Sequence, residues 1–479
     1  MGAMQLKVLS DAEVETLQER TLDVLEKVGI KFTHAEALGK LAQAGAKVNE
    51  ASGIARFPRS MVKELLALAP STVTQTGLNG NVVTAGGDSR TYASLILDPF
   101  IVDYEQGLRR PVLEDVRRNV IIGESLDRIS GMMRMQFPVS DVPEPDSYYK
   151  TMEVFLSHLT KHCYCYPTSE ENCREWMDVL AVITEAAGLD AEAAPIASVA
   201  MANTSPLQIH GLNVEIMKMA LQRDYPVTGT VCPMAGTTSP YSVAGTLLMA
   251  NAEAIGAVLL PQTYKPGHPT YFAFGPSVAE MRHAHDLYYK AEKMLFKIAA
   301  TQLGKSYGLP IKGEAGGSLS WRPDVQNGAE GMAYLLASHA GGQNIIAGLG
   351  SFHNAMGMSS EQIIMQVGLI DMAQYLSRGI GFDEKRLGLD AIERVGAGGN
   401  FLTDELTLEL MRSDEFFNSP YFDMSGGYGG DAPGMHEIAH QKVEQILAEY
   451  QPKVPGAVRE AVERFFASKY QDKKNAAAG

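Results

Sequence analysis

The chain has 479 residues, of which 45% are hydrophobic and 20% are charged, as in an ordinary soluble globular protein. Its net charge of −15 and its pI near 5.3 argue against nucleic-acid binding, which requires a basic surface against phosphates. The sequence has neither a run of about 18 apolar residues nor a charged-then-apolar start, so we expect no membrane span and no secretory signal. The four cysteines are too few for a disulfide framework and lack paired C-x-x-C spacing, which favours a cytoplasmic protein with reduced thiols.

Residues 1–90 are predicted to form a mainly helical N-terminal cap. Ser10 and Glu13 fit a capping box, in which each side chain accepts a hydrogen bond from the other residue's backbone N–H. Apolar residues after this box follow the helical period, and a second helix is expected from Ser60 to just before Pro70. No residues of this region indicate chemistry.

From about residue 91, short apolar runs alternate with amphipathic stretches. Ala257–Leu260 could also form a strand, but it lies too close to the next run for a parallel crossover, so we assign it to a long helix. Eight β–α units within 91–380 favour a TIM (β/α)8 barrel over an open sheet, and no Gly-x-Gly-x-x-Gly turn follows the first strand. The predicted strands are Thr91–Leu97, Ile129–Met135, His162–Tyr166, Ile196–Asn203, Pro226–Cys232, Thr270–Phe274, Leu309–Glu314 and Asn344–Leu349. The predicted helices lie near 113–126, 146–160, 171–187, 210–223, 241–265, 284–307 and 325–340.

Residues 381–479 are predicted to form a C-terminal helical extension. Apolar residues in Met435–Tyr450 fall on one stripe, and a second stripe begins at Val458. The predicted fold is therefore an α/β protein, a TIM barrel with helical extensions at both ends.

The segment Leu309–Gln326 reads as a strand, a glycine-rich turn and the start of a helix. It is either a loop of the catalytic face or a plain joint in which Trp321 packs for stability. Glu314 at the strand end could balance a bound cation, or it could pair with Lys312 or Arg322.

The predicted carboxyl ends of the strands are rich in aromatic and amide side chains and poor in charges. Such a mouth suits a cation held by aromatic faces, as in quaternary ammonium recognition, although each ring could equally fill the barrel core. His353 could bind a carboxylate or hydrogen-bond its own loop. The candidate substrate-binding residues are Phe100, Gln136, Asn203, Phe274, Glu314, Trp321, Phe352 and His353.

We predict no metal site in this chain. His283 and His285 lie two apart near a predicted helix start, where they would not share one face. Cys163 and Cys165 alternate with two tyrosines, so one pair faces the barrel core and the other faces the helices; packed thiols are the simplest interpretation. The sequence also lacks a Gly-x-Ser-x-Gly elbow and an evident carboxylate pair for glycosidase chemistry.

Several blocks along the chain resemble one enzyme family. The blocks are Thr21–Ile30, Arg56–Ser60, Val102–Pro111, Pro233–Pro240, Asn251–Glu253, Gly316–Gly317, Pro323–Gln326 and Val395–Leu402. Together they resemble the trimethylamine methyltransferase superfamily, in the branch that lacks pyrrolysine, over nearly the whole chain. The resemblance implies a TIM barrel that demethylates methylated amines and passes the methyl group to the cobalt of a separate corrinoid protein.

The branch is similar to glycine betaine methyltransferases, which implies conversion of glycine betaine to dimethylglycine. It further implies a cobalamin methyl acceptor on a partner protein, no tightly bound cofactor and a homo-oligomer. Proline betaine, carnitine or γ-butyrobetaine remain alternative substrates, and a non-catalytic betaine-binding protein is another possibility. Zinc-dependent methyl transfer is a rival mechanism, against which the missing His/Cys ligand set argues.

In the founding enzymes of this family, pyrrolysine at the barrel mouth is thought to capture the amine. Only standard residues occur here, and we place the corresponding neighbourhood at 316–326. A quaternary amine already carries its charge and requires no covalent capture, so the resemblance favours such a substrate. Asn400 replaces the histidine that many relatives have in a Gly-Gly-His-Phe-Leu block. A betaine carboxylate would need donors, for which the candidates are His353, Gln136, Asn203 and the Gly316–Ser318 backbone.

Overall fold

Eight parallel strands form the central barrel in the computed structural model, which describes residues 4–144, 146–190, 195–428 and 430–478. Around the sheet the order is 6-5-4-3-2-1-8-7, and a bridge between Phe272 and Ile311 joins the sixth strand to the seventh. Each predicted run contains one of these strands, so the predicted TIM barrel is confirmed. The strands are β1 (Thr91–Leu95), β2 (Ile129–Met133), β3 (His162–Cys165), β4 (Ala197–Ala202), β5 (Val227–Thr230), β6 (Thr270–Tyr271), β7 (Lys312–Glu314) and β8 (Ile345–Leu349).

One helix follows each barrel strand and covers the outside of the sheet. The helices are α1 (Leu113–Ser125), α2 (Asp146–His158), α3 (Glu170–Ala186), α4 (Gly211–Gln222), α5 (Val243–Tyr264), α6 (Glu292–Ser306), α7 (Val325–Gly341) and α8 (Ser360–Ser377). Helix α5 includes Ala257–Leu260, as predicted, and Ser242 caps it by accepting a hydrogen bond from the N–H of Gly245. Among the described residues, α5 alone is long and apolar enough to cross a membrane. Because 72% of its most apolar window is buried, we interpret α5 as a core helix.

The N-terminal region contains three helices and five short strands. The Ser10–Glu13 capping box is present, and the predicted helices form. The short strands were not predicted, because three or four residues carry too little periodicity to detect. The helices are Asp11–Lys27, Ala35–Gln43 and Arg59–Leu68; the strands are Ile30–Phe32, Lys47–Asn49, Ile54–Arg56, Val73–Thr76 and Val82–Ala85. The first of these strands also pairs with Gln208–Ile209.

The hairpin of Val73–Thr76 and Val82–Ala85 closes the amino end of the barrel. Its buried Gln75 donates to the hydroxyl of Tyr271 at 2.8 Å and accepts a hydrogen bond from the hydroxyl of Tyr164 at 2.9 Å. Because these tyrosines lie on strands β3 and β6, the network ties the hairpin to opposite sides of the barrel. It forms a polar floor beneath the barrel interior.

Two small sheets extend the carboxyl face of the barrel. The residues of the predicted helix 284–307 that precede Glu292 are not helical, which corrects that prediction. Residues 277–287 instead form a hairpin, whose turn is stabilised by the Glu280 carboxylate accepting the N–H groups of Arg282 and His283. The first sheet contains Phe100–Asp103, Gly107–Arg109, Ser351–Phe352 and Gly357–Met358, and the second contains Met234–Ala235, Ser277–Ala279 and Asp286–Leu287. A short 3-10 helix spans His353–Ala355.

The C-terminal region is helical, as predicted. Helix Met435–Glu449 packs against α8 and α1, and helix Gly456–Ala478 packs against α3 and α2. Three short helices precede them: Glu384–Leu387, Leu389–Val395 and Glu405–Leu410. The division of the chain into segments 1–90, 91–380 and 381–479 stays a prediction.

Candidate active site

A cavity of about 200 Å³ lies inside the barrel, towards the carboxyl ends of the strands. Its wall is formed by residues on or just after strands β2 to β8, together with one tyrosine and one lysine from the segment between β6 and β7. One part of the wall is aromatic and sulfur-rich, and another part is charged. The residues that matter most are Tyr166, Phe274, Tyr288, Lys297, Lys312 and Glu314.

Tyr288 and Glu314 form a hydrogen-bonded pair in this wall. The Tyr288 hydroxyl donates to Glu314 Oε2, and the Nζ of buried Lys293 lies over the Tyr288 ring. Burial raises the pKa of Tyr288 well above its usual value, and the negative charge of Glu314 raises it further. Tyr288 therefore remains a neutral donor that holds the Glu314 carboxylate in place.

The loop after β8 fixes the position of Tyr288. Asn354 Oδ1 accepts a hydrogen bond from the backbone N–H of Tyr288 at 2.7 Å, and Asn354 Nδ2 donates to the carbonyl of Asp286 at 2.6 Å. The backbone N–H of Asn354 is held in turn by the carbonyl of Ser318 at 2.8 Å. Asn354 has a φ of 56°, a conformation that asparagine adopts more readily than most residues. The loops after β6, β7 and β8 are thereby joined at the mouth.

Two buried lysines also line the cavity. Lys312 precedes Glu314 by two residues on β7, so both side chains point into the barrel, and Lys297 reaches the cavity from α6. Burial lowers the pKa of Lys312 to about 7 and also lowers the pKa of Lys297, while the negative charge of Glu314 opposes both shifts. A third lysine, Lys293, donates to the carbonyl of Gly275 at 3.2 Å.

Cys232 also borders the cavity. It is exposed to the cavity space, and the surrounding protein raises the pKa of its thiol by desolvation. A thiol with a raised pKa stays protonated near neutral pH, so it behaves as a weakly polar part of the wall.

Of the eight candidate residues chosen from the sequence, Phe274 and Glu314 lie in the cavity wall. Gln136 and Asn203 are not in the cavity wall, and each accepts a hydrogen bond from another side chain, although the buried Nε2 of Gln136 has no partner among the described residues. Gln136 accepts a hydrogen bond from the Thr168 hydroxyl at 2.7 Å. Asn203 accepts one from the side chain of Asn213 at 3.0 Å. Their roles in binding stay predictions.

The other four candidates lie on the loops above the barrel. The Phe100 ring packs edge-on to the His353 ring, with centroids 6.1 Å apart, and its face is covered by Arg110 at 4.5 Å. Phe352 is buried and borders a separate groove of about 160 Å³ together with Trp321. Trp321 is 38% exposed, and its own neighbour Arg322 lies over its ring. The structure thus places these four side chains outside the cavity wall, and their proposed contacts with substrate are untested.

Sequence reasoning missed Tyr288, Lys297 and Lys312. Lys312 was considered only as an ion-pair partner of Glu314, although strand alternation places both side chains inside the barrel. Lys297 lies three and four residues before buried Ala300 and Thr301, and this helical spacing is a detectable signal for a buried lysine.

The cysteines are arranged as strand alternation predicts, whereas the two histidines lie in a hairpin and not at a helix start. Cys163 and Cys165 are buried with their Sγ atoms 3.7 Å apart, while the intervening Tyr164 points into the barrel, as the alternation predicts. His283 and His285 were placed near a helix start, but the hairpin brings their ring nitrogens and a Glu280 oxygen within 4.8 Å of one another. Both histidines are largely exposed, and Nδ1 of His283 lies 2.9 Å from the Glu280 carboxylate. The absence of a metal site stays a prediction.

Comparison with known proteins assigns the chain to a family. Residues 2–474 match the family model described as trimethylamine methyltransferase (MTTB). The chain belongs to the trimethylamine methyltransferase family. It is therefore a methyltransferase enzyme, as the resemblance implied.

Relatives in the trimethylamine methyltransferase family are similar over nearly their full length. A glycine betaine methyltransferase of Desulfitobacterium hafniense is 27% identical over 456 residues, covering 93% of each chain. A trimethylamine methyltransferase MttB of the same species is 26% identical over 469 residues, covering 95% of this chain and 93% of the relative. The two differ in substrate but hardly in similarity, so identity alone does not choose between a betaine and a tertiary amine.

A solved structure supports the fold. The monomethylamine methyltransferase MtmB of Methanosarcina barkeri superposes with a TM-score of 0.54 at 13% identity, covering 93% of this chain and 89% of the other. At this identity the likeness concerns the fold alone, and it agrees with the TIM barrel of this trimethylamine methyltransferase family member.

Proposed function

We propose that the enzyme removes a methyl group from glycine betaine and passes it to Co(I) of a partner corrinoid protein, which leaves dimethylglycine. The observation that carries this proposal is the Tyr288–Glu314 pair, which lies in the cavity wall with further aromatic side chains. The similarity to a glycine betaine methyltransferase supports the same substrate.

The cavity suits a quaternary ammonium group. Phe274, Tyr166 and Tyr288 contribute aromatic side chains, and Glu314 contributes a carboxylate. A cation over an aromatic face gains about 0.5–2 kcal/mol, with the larger values where water is excluded. Because an ammonium carrying four carbon substituents has no N–H to donate, aromatic faces and a nearby carboxylate are the groups that can stabilise it.

The proposed reaction needs few acid–base groups from the protein. The N–CH3 bond breaks with its electron pair remaining on nitrogen, so the leaving group is a neutral tertiary amine that requires no proton. When the partner is bound, its reduced cobalt supplies the nucleophile that accepts the methyl group. The residues of this chain would hold the ammonium in line, exclude water and stabilise its charge until transfer.

The rim of the mouth fits a docked partner. Four large apolar side chains are exposed on loops of the carboxyl face: Tyr241, Met281, Trp321 and Met356. Met281 and Tyr241 lie side by side, since a Cβ on Gly236 would come within 2.7 and 2.9 Å of their side-chain atoms. An apolar rim above a buried substrate site is typical of a binding surface, and we propose that the corrinoid protein occupies it.

Other substrates remain possible within this proposal. The cavity of about 200 Å³ is below the usual size of sites for drug-sized molecules, which favours a small betaine. Carnitine and γ-butyrobetaine have longer chains, and proline betaine has a ring, so each would need a wider site. A non-catalytic betaine-binding protein would bind the same ligands without transfer.

A demethylation assay with free cob(I)alamin tests the proposal. The reaction is monitored through the change in cobalt absorbance. We expect turnover with glycine betaine, and Glu314→Gln should lower kcat/KM while the fold remains intact. Betaine binding in calorimetry without methyl transfer to cobalamin or to a corrinoid protein would favour the binding protein. Transfer from trimethylamine alone would contradict the betaine assignment.

We also propose that the enzyme forms a homo-oligomer in the cytoplasm. Several large apolar side chains between residues 380 and 428 are more than 70% exposed: Ile380, Phe382, Leu402, Phe416 and Tyr428. Such a concentration of exposed apolar groups is uncommon on a monomer and is typical of a subunit interface. Sedimentation analysis of the full chain would distinguish an oligomer from a monomer.

A further inference from the structure

The side chain of Lys312 ends in a buried ammonium group without a hydrogen-bond partner. Its Nζ lies 4.1 Å from the centre of the Tyr164 ring and 5.8 Å from that of Tyr271, directly above the polar floor of the barrel. Lys312 is 6% exposed, and no described residue accepts a hydrogen bond from its Nζ. Buried charged groups normally have a partner of opposite charge or a hydrogen-bond acceptor. An unpartnered lysine that lines a cavity therefore indicates an anion in that cavity.

Lys297 borders the same cavity from α6 but lies on the other face of strand β7. It is 2% exposed, and its Nζ lies so close to strand β7 that a Cβ on Gly313 would come within 2.7 Å of it. Because Gly313 lies between Lys312 and Glu314, that Cβ would point to the helix side, away from the side chain of Lys312. Lys312 is therefore the lysine that faces the interior of the cavity.

The cavity wall combines one carboxylate with two buried lysine side chains. Glu314 is the carboxylate of the wall, and it already accepts the hydroxyl of Tyr288. Lys293, a third buried lysine, is occupied by the carbonyl of Gly275 and by the Tyr288 ring. A substrate with a positive charge alone would leave Lys312 without a partner, whereas a zwitterion brings its own carboxylate.

We infer that Lys312 forms a carboxylate-binding subsite at the floor of the cavity, which selects zwitterionic amines over simple cationic ones. Lys312 lies two residues below Glu314 on β7, about 6–7 Å nearer the floor. A short betaine therefore binds with its carboxylate towards Gln75 and its methyl groups towards the mouth. The lowered pKa of Lys312 agrees with a site that lacks its anion. This inference rests on the proposed function only for the identity of the ammonium group.

Binding of three related compounds tests the subsite without any turnover. Glycine betaine carries both charges, 3,3-dimethylbutanoate carries the carboxylate on an uncharged skeleton of the same shape, and choline carries the ammonium without a carboxylate. We expect calorimetry of the full chain to show the tightest binding for glycine betaine and measurable binding for 3,3-dimethylbutanoate. Choline should bind roughly 10- to 100-fold more weakly than betaine, the value of a charge-assisted hydrogen bond.

Lys312→Met should weaken binding of glycine betaine and of 3,3-dimethylbutanoate by roughly 10- to 100-fold, with little change for choline. Lys161→Met is the matched control, because Lys161 is also a buried lysine but donates to the carbonyls of Gly123 and Leu126 at 2.9 and 2.7 Å, outside the cavity. That variant should retain the ligand preference of the unmodified chain.

The inference is overturned if choline binds the unmodified chain as tightly as glycine betaine, a comparison that requires no variant to fold. It is equally overturned if Lys312→Met binds 3,3-dimethylbutanoate like the unmodified chain. Lysine-dependent anion binding without methyl transfer would instead support the subsite and count against the proposed reaction alone. The failure of one proposal can thus be distinguished from the failure of the other.

Discussion

The hydroxyl of Tyr288 donates a hydrogen bond to the carboxylate of Glu314, and this pair joins the loop after β6 to the end of β7. Asn354, from the loop after β8, holds the backbone N–H of Tyr288 at 2.7 Å. Three loops of the carboxyl face therefore determine where one carboxylate lies. A fixed carboxylate in a site lined by aromatic side chains is the preorganised arrangement that stabilises a cation at low reorganisation cost.

Tyr288→Phe removes the donor to Glu314 and leaves the ring in place. We expect kcat/KM for betaine to fall roughly 10- to 100-fold, because a hydrogen bond to a charged group contributes about 1.5–3 kcal/mol. Steady-state kinetics with cob(I)alamin measures the effect. Tyr334→Phe is the control: its hydroxyl donates to the carbonyl of Lys290 at 2.8 Å, outside the cavity, so only stability should change. Equal kinetics for the two variants would show that the Tyr288–Glu314 bond has no role in catalysis.

Phe274→Leu removes an aromatic face from the cavity while keeping an apolar side chain. We expect KM for betaine to rise roughly 3- to 30-fold, because one cation–π contact worth about 0.5–2 kcal/mol is lost. The matched variant is Phe272→Leu, because the Phe272 ring lies 5.4 Å from that of Phe274 but packs against Tyr307 on the helix side. Phe272→Leu should reduce stability and leave KM unchanged. If Phe274→Leu also left KM unchanged, the aromatic binding of the ammonium would be wrong.

Binding of betaine should be coupled to proton uptake. The titratable groups that face Lys312 are the phenols of Tyr164 and Tyr271, the carboxylate of Glu314 and the imidazole of His162. Burial lowers the pKa of Lys312 to about 7 in the free protein, and a bound carboxylate raises it again. Below pH 7 the lysine is already charged, whereas above pH 7 it must gain a proton, so affinity falls as pH rises.

Calorimetry in buffers of different ionisation enthalpy measures this uptake. With a pKa of about 7, we expect about half a proton per betaine at pH 7 and nearly one at pH 8. Lys312→Met should reduce the uptake. Identical heats in all buffers at pH 8 would contradict a lysine that becomes charged on binding.

The packing around the glycine-rich turn after β7 predicts how two glycine substitutions change the stability of the protein. A Cβ on Gly317 would fall inside the ring of Tyr289, which is buried beside Tyr288. Gly317→Ala should therefore destabilise the protein by about 1–3 kcal/mol, the usual cost of overpacking. Gly328→Ala, a few residues later, meets no atom within 4 Å on helix α7 and should stabilise it by about 0.5–1 kcal/mol. Denaturant unfolding that gave both variants the same midpoint would contradict this difference.

The barrel could be predicted because its signals are local and repeated. Period-two alternation marks the strands, and strand ends on one face bring Phe274 and Glu314 into the site without further information. Tyr288 could not be found this way, since its position depends on a hairpin stabilised by Glu280 and on a contact with Asn354 from 66 residues away. A long-range contact between two single side chains produces no periodic pattern in the sequence.

The conformation of the loop at His353–Ala355 also could not be predicted from the sequence. All three residues have positive φ angles, of 50°, 56° and 62°, which no pattern of residue types predicted. The sequence analysis favoured His353 as the functional residue of this loop. In the structure, Asn354 makes the connection to Tyr288, and the ring of His353 packs against Phe100.

The most direct measurement is the stoichiometry of methyl transfer from glycine betaine to cob(I)alamin by the unmodified chain. The proposed function predicts one dimethylglycine formed for each cobalt methylated, with choline and trimethylamine reacting far more slowly. Dimethylglycine would be identified by mass spectrometry, and cobalt methylation would be followed by its absorbance. Betaine left intact under conditions in which trimethylamine or choline methylates the cobalt would contradict the central claim.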